Sequence, residues 1–593
     1  MGRQRTGLAA AFVLIALAAS GAPNRTLSEP LLVPPGAGMV FSVPDLPSAW
    51  KAFAATPIHT EVVAFLNSPT VLELPRYRQF VEQMRRMEAE LGFSLDPPTL
   101  AAMIAGFDFV VLPPLERDGP FPTVCLFRVA DTTRWQRLVD CIERRMETAS
   151  NPATTGSTKV VRKDYQGAKI VSTQAGGGTA IAQLGPDRWA FASSAGAITY
   201  LIDQSLKKQP LGASPRFRAA VEGLGESQPH GFLYLNNTAV VQGQGVTRLA
   251  FLPLSGLVRS LRDEIVVAAD FRIEPAAIRF ESFLPFADPA RDRLGAIYRH
   301  YPPGPLRALD YVSSSPVAFM ARNTFDGPTL YDQWRAMALT SLRAAAGQGP
   351  PPEERLKTEE DNFREQMGFA LREDLAAAIG PEAFASLEQV SWDPLQVLPA
   401  FDLVAGVQIR DRERMDKVLS GFETFLERRF GADGPVARPP ALQSVAYYGK
   451  TLKWFLLPQS PQYSIGYTRT DSFVLAGLGG ESIKRAVDRV EGRRKPFKDG
   501  RLYAIVRPYL HEQANEILVF NVPKMVAVGR DVVRRLPKSP QPNQPDPAKR
   551  IESLLASLGR IAALGASTAG SEFGLQTRGA LVFTAPEPKK PAK

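Results

Sequence analysis

The segment Ala89-Glu90-Leu91-Gly92-Phe93-Ser94-Leu95 recurs in altered form as Arg364-Glu365-Gln366-Met367-Gly368-Phe369-Ala370-Leu371. Other segments recur in the same order. A strand that turns into a helix at Asp131 is repeated at Asp411, 187–192 is repeated as 471–476 with Asp187 matching Asp471, and 232–236 is repeated as 517–521. The separation drifts only from 276 to 285 residues, as small loop insertions in a tandem duplication would produce. The sequence therefore predicts two similar domains.

Length and composition agree with a two-domain, folded chain. The 593 residues exceed what one hydrophobic core normally includes, because single cores stop growing at roughly 250–300 residues. A hydrophobic fraction of 45% and a charged fraction of 22% are typical of a globular protein. The predicted organisation is a signal peptide at 1–22, a first copy at 23–295, a second copy at 296–586 with a Pro-rich insertion at 537–547, and a disordered basic tail at 587–593.

The pattern of apolar residues predicts an α+β fold. Many short segments alternate between apolar and polar residues and are joined by turn residues, which favours antiparallel hairpins. Amphipathic helical segments interrupt this series, for example from Asp131 to Thr148 and from Asp411 to Phe430. Each copy is therefore expected to be a mainly antiparallel sheet with packed helices.

The N-terminus has the features of an export signal. Arg3 and Arg5 precede the apolar run 8–19, and small residues follow at 20–22. A membrane-spanning helix needs about 20 apolar residues, so cleavage is favoured over a retained anchor. No other uninterrupted apolar stretch reaches that length, and the mature chain is expected to lack a transmembrane span. The predicted location is the periplasm or the extracellular medium.

Charge and cysteine content narrow the classes of partner. The formal net charge of +10 is spread along the chain without a basic-aromatic motif, so nucleic-acid binding is not expected. Cys125 and Cys141 are the only cysteines. Export would permit a disulfide between them, but the equivalent positions Ala405 and Gly421 are also small, so two packed thiols are favoured over a disulfide.

No catalytic, cofactor-binding or metal-binding residues are predicted. The four histidines have no pair at ligand spacing, and each is expected to be a surface residue. Gly449-Lys450-Thr451 resembles the end of a phosphate-binding loop, but Ser444 stands where that motif needs a glycine. A hairpin turn explains Gly449 better. The chain is therefore expected not to be an enzyme.

Several segments resemble a bacterial domain-of-unknown-function family of secreted or periplasmic proteins. They are Asp45-Leu46-Pro47-Ser48-Ala49-Trp50, Leu91-Gly92-Phe93, the strand-to-helix unit at Asp131, Tyr165-Gln166-Gly167, and Trp189-Ala190-Phe191-Ala192-Ser193-Ser194. The resemblance implies a bacterial envelope setting. It implies no catalytic residue and no cofactor.

Two functions are compatible with these observations. The first is a non-enzymatic envelope protein that binds or scaffolds an envelope protein partner. The second is a carrier of lipid or another apolar ligand in the periplasm, because an antiparallel sheet covered by helices can enclose an apolar cavity.

Overall fold

The computed structural model describes most of the chain. The described residues are 32–72, 74–116, 119–148, 160–173, 178–224, 229–236, 266–286, 295–344, 350–392, 399–430, 441–456, 464–478, 481–535 and 547–584. The predicted signal peptide and basic tail lie outside these residues. So does the predicted insertion 537–547, apart from Pro547.

The chain forms two compact units. The first consists of Met1–Ala296, Leu536–Ile561 and Ser571–Lys593, and the second of Ile297–Arg535 and Ala562–Gly570. The C-terminal part of the chain is thus shared between the two units.

Strands and helices are both abundant, which confirms the α+β class. The strands of the first unit are β1 (Met39–Val43), β2 (Ile104–Val111), β3 (Thr123–Val129), β4 (Val160–Tyr165), β5 (Ala168–Thr173), β6 (Ala180–Gly185), β7 (Arg188–Ala192), β8 (Gly231–Asn236), β9 (Val266–Glu274), β10 (Ala277–Pro285) and, near the C-terminus, β20 (Gly574–Phe583). Those of the second unit are β11 (Ala318–Arg322), β12 (Ile379–Ser391), β13 (Ala400–Ile409), β14 (Ala441–Tyr447), β15 (Lys450–Leu456), β16 (Ile465–Arg469), β17 (Phe473–Leu478), β18 (Glu516–Phe520) and β19 (Ile561–Gly570).

The helices are also divided between the units. The first unit contains α1 (Leu46–Ala54), α2 (Pro57–Leu66), α3 (Pro69–Leu72), α4 (Pro75–Leu91), α5 (Pro97–Met103), α6 (Thr132–Thr148), α7 (Ala195–Leu206), α8 (Pro215–Glu222) and α16 (Pro547–Ser557). After α9 (Ala296–His300), which spans the division, the second unit contains α10 (Gly327–Ala344), α11 (Pro352–Met367), α12 (Arg412–Phe430), α13 (Ser482–Val490), α14 (Arg501–Val506) and α15 (Val522–Arg535), with a π-helix at Leu371–Ala376.

The repeated Gly-Phe segments mark equivalent helix ends. α4 and α11 both begin at a proline, whose missing N–H costs nothing in the first helical turn. Both end at a glycine with φ of +74°, Gly92 and Gly368, in the left-handed conformation that glycine adopts most easily. The amide of each glycine donates to the carbonyl oxygen four residues earlier.

The antiparallel ladders of the two units have the same strand order. In the first unit the order is β4-β5-β6-β7-β3-β2-β1-β8-β9, and β10 and β20 continue it. In the second unit it is β14-β15-β16-β17-β13-β12-β11-β18-β19. This agreement supports a tandem duplication, which stays a prediction.

The compact units do not coincide with the predicted copies at the C-terminus. β20 falls inside the predicted copy 296–586, yet it pairs with β10 of the first unit along nine residues, from Ala277↔Val582 to Pro285↔Gly574. α16 also belongs to the first unit, where it packs on α2 and α3. The boundaries of the copies therefore remain a prediction about ancestry, whereas the described residues from Ser571 to Thr584 belong to the first unit.

In the first unit, each sheet face carries its own apolar core. Val124 and Leu126 of β3 belong to a cluster that includes α7 and α8. Phe127 and Val129 of the same strand belong to a second cluster, which includes α1, α5 and α6. Helices thus cover both faces of this ladder, because successive side chains of a strand point to opposite faces.

Both cysteines are free thiols. Cys141 is fully buried among the residues of α6, and Cys125 packs at the edge of the same cluster, where burial raises its pKa to about 12. The glycine equivalent to Cys141 has a packing reason, because a Cβ on Gly421 would lie 2.2 Å from the carbonyl oxygen of Met367.

A buried ion pair holds together three parts of the second unit. Glu388 of β12 and Arg489 of α13 are only 7% and 4% exposed. The guanidinium nitrogens lie 3.3 and 3.4 Å from the carboxylate oxygens, and Nε donates to the carbonyl oxygen of Tyr311 at 2.7 Å. The Ser386 hydroxyl also donates to Glu388, at 2.9 Å. Since each charge has close partners, we assign this pair a structural role.

We expect Glu388→Gln to lower the free energy of unfolding by about 3 kcal/mol, because it leaves the Arg489 charge buried without a counter-ion. Urea denaturation followed by tryptophan fluorescence measures the loss. The control is Glu353→Gln, which breaks an exposed ion pair with Arg343 and should cost much less, because solvent screens an exposed pair. Equal losses in the two variants would contradict the structural role.

Candidate functional site

The two faces of the second ladder differ in how they are covered. One face, here called the covered face, carries Phe319, Phe384, Val404 and Leu475, which belong to a large cluster with α13 and α14. On the opposite face, here called the open face, the residues that the structure describes form a small cluster between α11 and α12, around Met367, Phe369 and Val418.

A continuous row of apolar residues crosses the open face. Strand register places these residues side by side on nine strands, so they form one line across the sheet. The row, here called the leucine row, is Leu564, Phe520, Ala318, Leu387, Leu403, Leu478, Ile465, Phe455 and Leu442. None of these residues is buried, and Ile465 is 53% exposed. With neighbouring strands about 4.8 Å apart, the row extends over roughly 38 Å.

A second row runs beside the first, two residues further along each strand. This row, here called the alanine row, is Ala566, Leu518, Met320, Ala385, Ala405 and Ala476, followed by Tyr467, Lys453 and Ser444. Met320 is 39% exposed, and Ala385 and Ala476 are also exposed. The two rows together form an apolar surface, and such surfaces on soluble domains commonly mark binding sites.

The first unit fills the equivalent positions with larger side chains. Where the alanine row has its three central alanines, the first unit has Phe109, Cys125 and Phe191. Where the leucine row has Leu403, the first unit has Thr123, which interrupts the apolar line. The apolar surface is therefore a specific feature of the second unit.

A polar pocket of about 190 Å³ lies at one end of the alanine row, between α12 and strands β15 and β16. Its lining includes Asp416, Ser420, Glu423, Lys453, Tyr467 and Arg469. Arg469 pairs with Asp416, while Glu423 accepts a hydrogen bond from the Tyr467 hydroxyl and pairs with Lys453. Burial and the bond to Glu423 raise the pKa of Tyr467, so this phenol stays protonated and acts as a donor.

An aromatic group connects the pocket to the leucine row. The ring of Phe455, a member of that row, stacks with Tyr467 at a centroid distance of 6.4 Å. Phe422 of α12, which is 37% exposed, contacts both rings. An apolar surface therefore leads directly to a site with two cations, two carboxylates and a hydroxyl donor.

The residues considered for catalysis have structural roles. Tyr448 and Gly449 form a two-residue hairpin turn with φ of 49° and 71°, so Gly449 lies in a hairpin turn, as predicted, and Lys450 and Thr451 begin β15. Three of the histidines, predicted to be surface residues, are half-buried: His59 packs against Trp50 and Phe53, His230 accepts a hydrogen bond from the Ile273 amide, and the His511 amide donates to Ser567. Only His300 is exposed. Within the described ranges, no group of three His, Cys, Asp or Glu residues could hold a metal ion.

The apolar rows were not found from the sequence because one repeat was aligned one residue out of register. Matching Asp187 with Asp471 makes Trp189 equivalent to Phe473. The strand pairing shows instead that Trp189 is equivalent to Val474. Trp189 pairs across strands with Phe127, and Val474 pairs with Val407, which is the residue equivalent to Phe127. A shift of one residue exchanges the two faces of a strand. In the correct register, the replacement of aromatic residues by alanine is visible in the sequence.

Asp326 fixes the start of α10, the helix that packs on β12 beside the open face. Its carboxylate accepts hydrogen bonds from the Thr329 amide at 3.0 Å, the Tyr301 hydroxyl at 2.7 Å and Arg410 at 3.1 Å. Desolvation alone would raise the pKa of Asp326, but these hydrogen bonds outweigh it and lower the pKa to about 2. Further along α10, Trp334 is 43% exposed.

We expect the charged form of Asp326 to stabilise the second unit above pH 4. Because the folded pKa lies below the ordinary value of 3.8, this contribution is complete above that value and disappears as the pH falls through about 2. The full pKa shift corresponds to roughly 2 kcal/mol between pH 5 and pH 2, and solvent screening of this partly exposed carboxylate reduces it, so Asp326→Asn should lower the loss of stability over that range by about 1 kcal/mol. Urea denaturation at several pH values measures it, with the exposed Asp361→Asn as the control. An unchanged pH dependence in Asp326→Asn would contradict the assignment.

No helix in the described part of the chain is both long and apolar enough to cross a membrane.

Comparisons with known proteins find a family model that matches part of the chain, and that family has no assigned activity. No curated protein sequence matches the chain. Among solved structures, "Structure of crystal form III of TP0453" aligns with 10% identity and a TM-score of 0.23, covering 47% of this chain and 87% of that one. "Structure of crystal form IV of TP0453" aligns with 9% identity and a TM-score of 0.24, covering 48% and 87%. Likeness at these scores is too weak to carry an argument.

The family comparison agrees with the resemblance drawn from the sequence. That resemblance was to a domain-of-unknown-function family, and it is confirmed at that level. Residues 142–433 match the family model described as "Protein of unknown function (DUF3352)".

Proposed function

We propose that the chain is a non-enzymatic binding protein of the bacterial envelope whose second unit binds an amphiphilic lipid. The observation that carries this proposal is the pair of apolar rows on the open face, with a polar pocket at one end. Of the two functions compatible with the sequence, this geometry favours the lipid carrier over the scaffold for a protein partner.

The dimensions and chemistry of the open face suit an acyl chain. The leucine row is long and narrow, and the small side chains of the alanine row leave space beside it. Covering exposed apolar surface contributes about 25 cal/mol per Å², so a bound chain that buries about 400 Å² would gain on the order of 10 kcal/mol before the costs of association. A large, continuous apolar row is otherwise unfavourable on a water-exposed face.

The pocket suits a polar headgroup. Lys453 and Arg469 supply positive charge, Ser420 supplies a hydroxyl, and the carboxylates of Asp416 and Glu423 keep the site near neutrality. A zwitterionic or hydroxyl-bearing headgroup fits this mixture better than a free phosphate, because the two carboxylates already pair with the cations.

The setting of this function rests on sequence features alone. The basic and apolar segments at 1–22 support export, and the lack of a catalytic motif supports a binding role. An exported carrier with a water-exposed apolar face would move or present lipid between membrane surfaces.

We expect Ala476→Lys to weaken binding of a dansyl-labelled undecanoic acid at least about tenfold, because the ligand would have to cover a charge in the middle of the alanine row. Ala476 is exposed, so the variant should keep its fold. Fluorescence titration measures the affinity, and native mass spectrometry of protein purified from cells tests for lipid already bound.

The matched control is Ala219→Lys, at an exposed alanine on α8 of the first unit, which should bind the probe like the unaltered chain. Failure of the unaltered chain to bind the probe, together with a lipid-free mass after purification, would overturn the proposed function. Equal losses of binding in both variants would instead locate the lipid site elsewhere.

A further inference from the structure

The two ladders end in edge strands of very different composition. Among the described residues, β4 pairs only with β5 and β14 pairs only with β15. β4 reads Val-Val-Arg-Lys-Asp-Tyr, with three consecutive charges. β14 reads Ala-Leu-Gln-Ser-Val-Ala-Tyr, with no charge and no proline. Charged residues and prolines are what soluble proteins commonly place on edge strands to prevent pairing with other chains.

The free side of β14 is accessible. Residues 443–446 are all exposed, and Val445 is 42% exposed. In a two-residue hairpin, the residues that flank the turn are hydrogen-bonded to each other through their backbone N–H and C=O groups. Here these residues are Tyr447 and Lys450, on either side of Tyr448-Gly449. By alternation, the backbone groups of Leu442, Ser444 and Ala446 then point away from β15, toward a potential additional strand.

We infer that β14 pairs antiparallel with β14 of a second copy of this chain, around a two-fold axis at Ser444. This register opposes Leu442 to Ala446 and Ser444 to itself, so all the outward-pointing groups meet, with about six backbone hydrogen bonds. Gln443 then lies opposite Val445. No like charges are opposed, whereas the same arrangement of β4, with the axis at Arg162, would place this arginine against its own copy.

Size and symmetry favour a weak dimer of this chain. A surface that pairs with itself generates a closed two-fold dimer without a second partner. An interface made by one strand of seven residues buries less than the roughly 1,200 Å² of a stable complex, so the dimer should form in a concentration-dependent way. This inference does not depend on the proposed lipid site.

Analytical ultracentrifugation of the mature chain over a concentration series tests the inference. We expect a reversible monomer–dimer equilibrium. Ser444→Pro removes an outward-pointing N–H, and Val445→Lys places like charges close together across the two-fold axis, so each should raise the dimer Kd at least about tenfold. Circular dichroism checks that each variant is folded. If Ser444→Pro does not fold, Val445→Lys alone still tests the inference.

The matched control is Val490→Lys, the same substitution at another valine that is 42% exposed, and it should leave the equilibrium unchanged. A chain that stays monomeric at every concentration would overturn the inference. So would a dimer that both β14 variants retain, or one that the Val490→Lys control also loses.

Discussion

The architecture depends on the alternation of side chains in antiparallel strands, which gives every ladder two faces that each need a cover. In the first unit, both faces have one: α7 and α8 on one side, and α1, α5 and α6 on the other. The second unit has the same strand order, but among the described residues a large apolar cluster covers one face and a small cluster lies on the other. The apolar rows that are not fully buried follow from a two-sided sheet whose two faces are covered unequally by the described helices.

The replacement of aromatic residues by alanine makes the open face suitable for a ligand rather than for a helix. Large rings such as Phe109 and Phe191 form part of a packed core in the first unit. Alanines at the same positions leave the ladder intact, because backbone hydrogen bonds hold the strands together whatever the side chains. The same strand order can therefore carry a packed aromatic core in one unit and a row of small, partly exposed side chains in the other.

Most of the local structure could be predicted from the sequence, whereas less of the long-range strand pairing could. Gly92 and Gly368 as helix ends, the hairpin at Gly449 and the α+β class follow from short-range rules on glycine and on apolar spacing. The pairing of β20 with β10 does not, because a strand carries no local signal of which distant strand it joins. The open face was missed for a related reason, since a one-residue error in aligning Trp189 assigned a buried position to the wrong face.

Methionine-methyl NMR with a doxyl-labelled stearic acid tests the central claim most directly. Met320, in the alanine row, and Met525, on α15, are 39% and 42% exposed, so the two methyl groups are equally accessible from water. A lipid bound along the apolar rows should broaden the Met320 signal at probe concentrations that leave Met525 unchanged. Equal broadening of the two signals, or broadening of Met525 alone, would contradict a lipid site on the open face.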